Sequence, residues 1–354
     1  MLKKTVNLPG RRKQVSAWIL IAGGLILVSG CGQPQKELFE PLGNILVWPA
    51  PPETPLIAYV GSLSSEKDLK APVSGLEQLK RGLFGSKDIV VLIAPYAVAQ
   101  DPRERLFVAD SAGGALHIMD LRTRWYRQVR QAGPDRLLSP VALTVAAEQI
   151  ILADSALHKI FIFDRKGELV SSFGAEFLTR PAGLACDPSR GIIYVADTGR
   201  HVIVRFDRQG RFLDEWGGRG LHPGEFNYPT QLWTDSAGKL YVCDTLNYRI
   251  QVLSPEGKPL LTLGQQCDRP GCLAHPIGVA TDPAGNIYVA DRQFENIQVF
   301  SPQGNILMAW GQEGAAPGQF WLPTGLWIDP AGRVYVADSY NKRIQIFQIL
   351  ETKP

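Results

Sequence analysis

The stretch GRVYVADSYNKRIQIF at 332–347 has an echo 47 residues upstream, GNIYVADRQFENIQVF at 285–300, and a second in GKLYVCDTLNYRIQVL at 238–253. Self-similarity at such a period restricts a chain to architectures in which one supersecondary unit stacks on copies of itself. Two markers keep the same beat. A proline opens each unit, at Pro95, Pro140, Pro181, Pro229, Pro276 and Pro323, and an aspartate ends a short apolar run at Asp110, Asp154, Asp197, Asp244, Asp291 and Asp338. The chain of 354 residues therefore holds six units of 41 to 48 residues.

Within a unit the apolar residues follow a period of two. NIYVAD, NIQVF and NILMAWG alternate or run apolar between turn signals, which is the pattern of strands. DPAG at Asp282 and Asp329, and SPEG or SPQG at Ser254 and Ser301, put Pro second and Gly fourth, as tight hairpin turns require. Four strands per unit, a to d, predict an all-β, six-bladed β-propeller over residues 55–350. No fourth strand follows RIQIFQIL in the sixth unit. The segment PLIAYVG, at 55–61, has the apolar spacing and terminal glycine of KPLLTLG and NILMAWG. It is expected to pair with 343–350, completing the last blade and covering a sheet edge. Between it and the first blade, Ser74 and Glu77 have capping-box spacing, and Leu76, Leu79 and Leu83 share a helical face. A short helix is expected near 75–84.

The first 30 residues read differently. Lys3, Lys4, Arg11, Arg12 and Lys13 precede an uncharged apolar run from Val15 to Val28, the pattern of a secretion signal. Its end, LVSGC at 27–31, resembles a bacterial lipoprotein signal, and that resemblance implies that Cys31 carries the lipid. By the same analogy, Gly32 after Cys31 favours the outer membrane in a host with two membranes. Residues 31–54 carry Pro34, Pro41, Pro49, Pro51 and Pro52 and are expected to form an extended tether to the membrane. The formal charge of +3 belongs to the signal: without residues 1–30 the chain has 32 basic and 34 acidic residues, a balance of minus two. Such a domain has no bulk attraction for phosphate backbones, so no nucleic-acid partner is expected.

The units resemble NHL repeats, with the pattern YVxDxxNxRIQxF complete in 241–253 and 335–347. Blade five has Asn296 in place of the arginine, and blades one to three keep the aspartate but have Gly113, Leu157 and Arg200 at the asparagine position. The repeated aspartates are expected to accept backbone N–H groups and to pair with Arg249 and Arg343, five residues on. Some relatives of this repeat are enzymes. The resemblance to peptide-amidating lyases implies zinc-binding histidines after the blade-opening prolines, where this chain has Tyr96, Val141, Ala182, Thr230, Ile277 and Thr324. No metal or cofactor is therefore expected, and Tyr96, Thr230 and Thr324 are placed at the channel mouth. None of the five histidines has metal-site spacing, and solvated surface positions are expected for them. Cys267 and Cys272, in CDRPGC, flank a Pro-Gly turn and are expected to form a disulfide, with Cys186 and Cys243 as buried thiols.

In a four-stranded meander the a-to-b and c-to-d turns lie on one rim of the disc and the b-to-c and d-to-a loops on the other. The second rim has the long, variable loops, and function concentrates on loops held by a rigid frame. It carries Tyr228, Tyr248, Phe294, Trp321 and Tyr340 as candidate contact residues, whereas Phe226 and Phe320 are expected to fill the seams between blades. The expected function is that of an exported, lipid-anchored, non-catalytic binding module of the bacterial envelope, taking a protein, peptide or glycan. The alternative is a metal-dependent lyase or lactonase with its site at the channel mouth.

Overall fold

The computed structural model describes residues 38–39, 45–69 and 89–350. Blade one is a meander of strands a (Pro95–Gln100), b (Arg105–Asp110), c (Ala115–Asp120) and d (Tyr126–Val129). Blades two to five repeat it, opening at Pro140–Ala146, Pro181–Asp187, Pro229–Thr234 and Pro276–Thr281. They end in d strands Leu169–Phe173, Phe212–Gly217, Pro259–Leu263 and Ile306–Trp310. Burial follows position in the blade. The b strands are buried at nearly every residue because both sheet faces pack on neighbouring blades, whereas the d strands on the perimeter are largely exposed.

Blade six holds Pro323–Ile328, Arg333–Asp338 and Arg343–Ile349, and its fourth strand comes from the front of the chain. Ile57–Leu63 pairs antiparallel with Arg343–Ile349, Ile57 opposite Ile349 and Leu63 opposite Ile344, with a bulge between Tyr59 and Gly61. The closing strand is thus the expected one, two residues further along. Val47–Trp48 adds a fifth strand outside it, antiparallel to Ile57 and Ala58. Part of the segment expected to be tether is therefore sheet. Trp48 and Tyr59 both set their rings edge-on to Phe347, at 5.8 and 5.6 Å. Cys31, the expected signal segment 1–30 and the expected helix near 75–84 lie outside the described residues. Among the described residues no helix is long and apolar enough to cross a membrane.

The core is divided among six seams, one between each pair of neighbouring blades. Phe107 and Phe161 meet between blades one and two, Val195 and Ile151 between two and three, and Tyr241 and Val289 between four and five. Phe226 fills the seam of blades three and four and Phe320 that of five and six, both fully buried. The last seam joins Tyr335 and Ile346 of blade six to Leu106 and Val108 of blade one, with Leu63 from the closing strand. Dispersed in this way, the apolar core has no centre, and each blade depends on its neighbours.

The polar letters of the repeat form one network on the loop rim. All six closing aspartates are fully buried. Asp338 accepts N–H from Trp321 (2.8 Å), the Asn341 amide (2.9 Å), Arg343 Nε (2.7 Å) and Gln345 Nε2 (2.9 Å). Arg343 also donates to the carbonyls of Ala315, Ala316 and Gln319, so the d-to-a loop is tied to strand c of blade six. Asp244, Asn247, Arg249 and Gln251 repeat the arrangement in blade four. In blade one, His117 occupies the glutamine position, its Nε2 3.3 Å from Asp110 and its Nδ1 paired with the Tyr126 hydroxyl at 2.5 Å. His117 is fully buried, not solvated as expected, because it serves the aspartate from inside the sheet.

Candidate functional site

The six a strands surround the channel. Two residues after each opening proline stand Ala97, Ala142, Gly183, Gln231, Gly278 and Gly325. A Cβ on Gly325 would lie 2.8 Å from the Tyr96 carbonyl and the Ala97 Cα, so the strands approach too closely there for a side chain. Gln231 is the single long side chain of this ring. Its Oε1 accepts the Val279 N–H (3.0 Å) and its Nε2 donates to the Leu326 carbonyl (3.4 Å), and it lines both the cavity on the turn rim and the passage on the loop rim.

On the turn rim the channel widens into a cavity of about 330 Å³ lined by Leu143, Leu184, Cys186, Trp233 and Trp327. The two indoles cross at 5.0 Å, and Trp233 is held by its N–H on Thr281 Oγ1 (2.8 Å). Burial raises the Cys186 thiol to about 11 and pushes Cys243 well above its ordinary value, so neither is a ready nucleophile.

On the loop rim the passage narrows to about 10 Å³, between Tyr96, Val141, Ala182, Thr230 and Ile277. Tyr96 and Thr230 thus line it. Thr324 is fully buried, its hydroxyl toward the carbonyls of Ala337 (3.3 Å) and Pro95 (3.5 Å), and Gly325 lines the passage instead. Charges gather at this mouth. Burial raises the pKa of the Tyr96 phenol, with Arg292 and Arg180 pulling it down and Tyr228 pushing it up. Burial lowers the pKa of His275, and Arg292 lowers it further against the opposing pull of Asp291. The Arg180 guanidinium lies 5.5 Å from the centre of the Tyr228 ring, within cation–π range.

The surrounding loops are pinned by their backbone. Tyr228 and Leu322, each just before an opening proline, adopt left-handed conformations (φ 64° and 53°). Their N–H groups are taken by His201 Nδ1 (3.0 Å) and Glu295 Oε2 (2.6 Å) from the preceding blade. Of the expected contact residues, Trp321 and Tyr340 are the exposed pair, 48% and 54% accessible, with rings 5.5 Å apart and the Tyr340 N–H on the Trp321 carbonyl (3.1 Å). Tyr228, Tyr248 and Phe294 are half-buried. Leu221 and Leu246 are exposed on the loops of blade four.

The NHL repeat family matches residues 320–347, the stretch from Phe320 through Asp338, Asn341, Arg343 and Gln345 to Phe347 that ties loop to blade. The chain is a six-bladed β-propeller carrying an NHL repeat. No curated protein matches it at a significant level. Among solved structures, the propeller is similar to virginiamycin B lyase from Staphylococcus aureus at 15% identity, over 73% of this chain and 96% of that one, with a TM-score of 0.56. It is also similar to an auxiliary nutrient binding protein from Bacteroides thetaiotaomicron, at 15% identity, over 73% and 70% of the two chains, TM-score 0.57. Hydrazine synthase of Kuenenia stuttgartiensis matches at 12% identity, over 76% and 98%, TM-score 0.53. Likeness at this identity is likeness of fold.

Among the described residues no three His, Cys, Asp or Glu side chains come together in a way that could hold a metal ion. The six closing aspartates accept backbone N–H groups. Cys267 and Cys272 are bonded to each other, their Cα atoms 5.3 Å apart, which closes the loop before blade five. Arg180, Arg292 and Gln231 were not singled out from the sequence. A signal existed, since they fall at fixed offsets from the opening prolines and closing aspartates, where no other unit has arginine beside the marker or a long side chain in the ring.

Proposed function

We propose that this propeller is a non-catalytic binding module of the bacterial cell envelope, held to a membrane by an acylated Cys31 and presenting its loop rim to a protein, peptide or glycan. In a host with two membranes the outer one is the proposed site, on the strength of Gly32. The observation that carries this reading is the Trp321–Tyr340 pair. Two large rings lie side by side and accessible on loops whose other polar groups are consumed in holding the blades together. Rigid aromatic side chains of this kind supply contact area at small entropic cost and dominate binding energies. A charge near minus two after removal of the signal argues against nucleic acid.

Replacing Trp321 and Tyr340 together by alanine should lower recovery of a crosslinked envelope partner by about tenfold or more, since each ring is worth on the order of 2 kcal/mol when it is a contact centre. The thermal midpoint should hardly move, because neither ring belongs to a seam. Unchanged recovery would refute the assignment of this rim. Stoichiometric zinc or calcium in the purified protein would favour the alternative, a metal-dependent lyase or lactonase.

A further inference from the structure

Four residues after each opening proline the a strands carry Ala99, Thr144, Ala185, Trp233, Ala280 and Trp327, so two blades put an indole where the others have small side chains. Blade five lies between the two indoles and has only Ala280 at this position, and they cross at 5.0 Å with their planes 76° apart. Two rings near a right angle form a corner. In a ring of six, blade two stands opposite blade five, so Thr144 lies across the channel from that corner, and the cavity of about 330 Å³ is lined by both. Thr144 is 6% exposed, and its hydroxyl has no hydrogen-bond partner among the described residues, whereas Thr234 and Thr281, at the same end of their a strands, have theirs. A buried hydroxyl without a partner costs stability unless something else completes it.

We propose that this cavity on the turn rim binds an uncharged aromatic molecule of one or two rings that carries a hydroxyl or carbonyl oxygen, with its ring in the indole corner and its oxygen on Thr144. The site is separate from the loop rim and does not depend on that face binding a partner. Its volume lies at the small end of ligand pockets, enough for a bicyclic molecule. A third ring stacks on one indole while meeting the edge of the other, the two geometries that aromatic pairs favour. Leu143, Leu184 and Leu326 complete an apolar wall, against which a charged group would lose hydration. An anion fares worst. The ionisable side chains of the wall are Asp187, Asp235 and the Cys186 thiol, which burial keeps protonated, and no Lys, Arg or His lines it. Just outside, Arg190 is held between Asp187 (3.9 Å) and Glu256 (3.3 Å), and Arg208 donates to the Pro188 carbonyl.

Ligand-observed saturation-transfer NMR on the purified chain tests this with 2-naphthol, its saturated counterpart decahydro-2-naphthol, and 2-naphthoate as probes. 2-Naphthol should bind, and the saturated alcohol and the carboxylate should each bind about tenfold more weakly. Thr144→Val, which keeps the shape and removes the hydroxyl, should weaken 2-naphthol about fivefold, the worth of one neutral hydrogen bond, without lowering the thermal midpoint. Trp327→Leu, which removes one wall of the corner, should weaken it about tenfold. The Trp321→Ala, Tyr340→Ala double variant, altered on the other rim, should bind 2-naphthol as the parent does. No binding of 2-naphthol at about 1 mM, equal binding of the saturated alcohol or of the carboxylate, or binding indifferent to Thr144→Val would each overturn the proposal. Loss of binding in the double variant would also overturn it, by moving the aromatic site to the loop rim.

Discussion

Asp338 shows how much a single repeated side chain does. It is fully buried and neutralised by Arg343, and it holds the backbone of Trp321, whose ring is half of the proposed contact pair. Asp338→Ala would leave Arg343 and Gln345 facing an empty site, a loss of about 3–5 kcal/mol on the scale of broken buried ion pairs. Urea unfolding of the variant should give a correspondingly lower midpoint; a change below about 1 kcal/mol would mean that the loop is held by something else. Asp110 adds a pH signature. Burial pushes its pKa up, but His117 and the N–H groups of Ile93, Ala94 and Gly113 outweigh it, and the pKa falls below the ordinary 3.8. A depressed carboxylate stabilises the fold fully above about pH 4, and that contribution disappears as pH drops through the folded pKa. Asp110→Asn should therefore flatten the loss of stability between pH 5 and about pH 3, measured as urea midpoints, whereas an acid limb identical to the parent's would contradict the assignment. The aspartates were legible because each unit repeats them at a fixed offset, and Arg249 and Arg343 because two units share them. His117 was not, since its burial depends on Asp110 and Tyr126 across strands, which no local pattern records.

The strands came through nearly complete, for a related reason. Alternating apolar residues between DPAG and SPEG turns mark a hairpin wherever they occur, and Ile57–Leu63 announced itself by matching the other d strands. Val47–Trp48 has two residues and no alternation. Its docking is decided some 270 residues away in sequence, where Trp48 packs over Gly318 and Phe347. Gly318 sits at φ +79°, and a Cβ there would run into the Trp48 ring. Gly318→Ala should cost about 1–3 kcal/mol through backbone strain and this clash together. In a Trp48→Ala background the clash is gone and the cost should shrink to the strain alone, about 1 kcal/mol. A double-mutant cycle by thermal unfolding reads the difference; strictly additive effects would show that the fifth strand does not pack there.

The ring as assembled has two unlike faces, with Gln231 lining the channel between them. On the turn face lies the cavity walled by Trp233 and Trp327; on the loop face lies the exposed ring pair. Six blades, their order and their closure could be read from the chain because a repeat states its geometry many times over. Which face works could not, since a channel's width is set where six inner strands converge, and its mouth where residues of different blades meet. A photo-crosslinking side chain separates the faces in native membranes, placed at Tyr340 on the loop rim or at exposed Gln303 in a c-to-d turn on the opposite rim. Position 340 should yield a discrete crosslinked envelope product and position 303 none; a product from 303 alone, or from neither, would contradict the loop rim as the binding face.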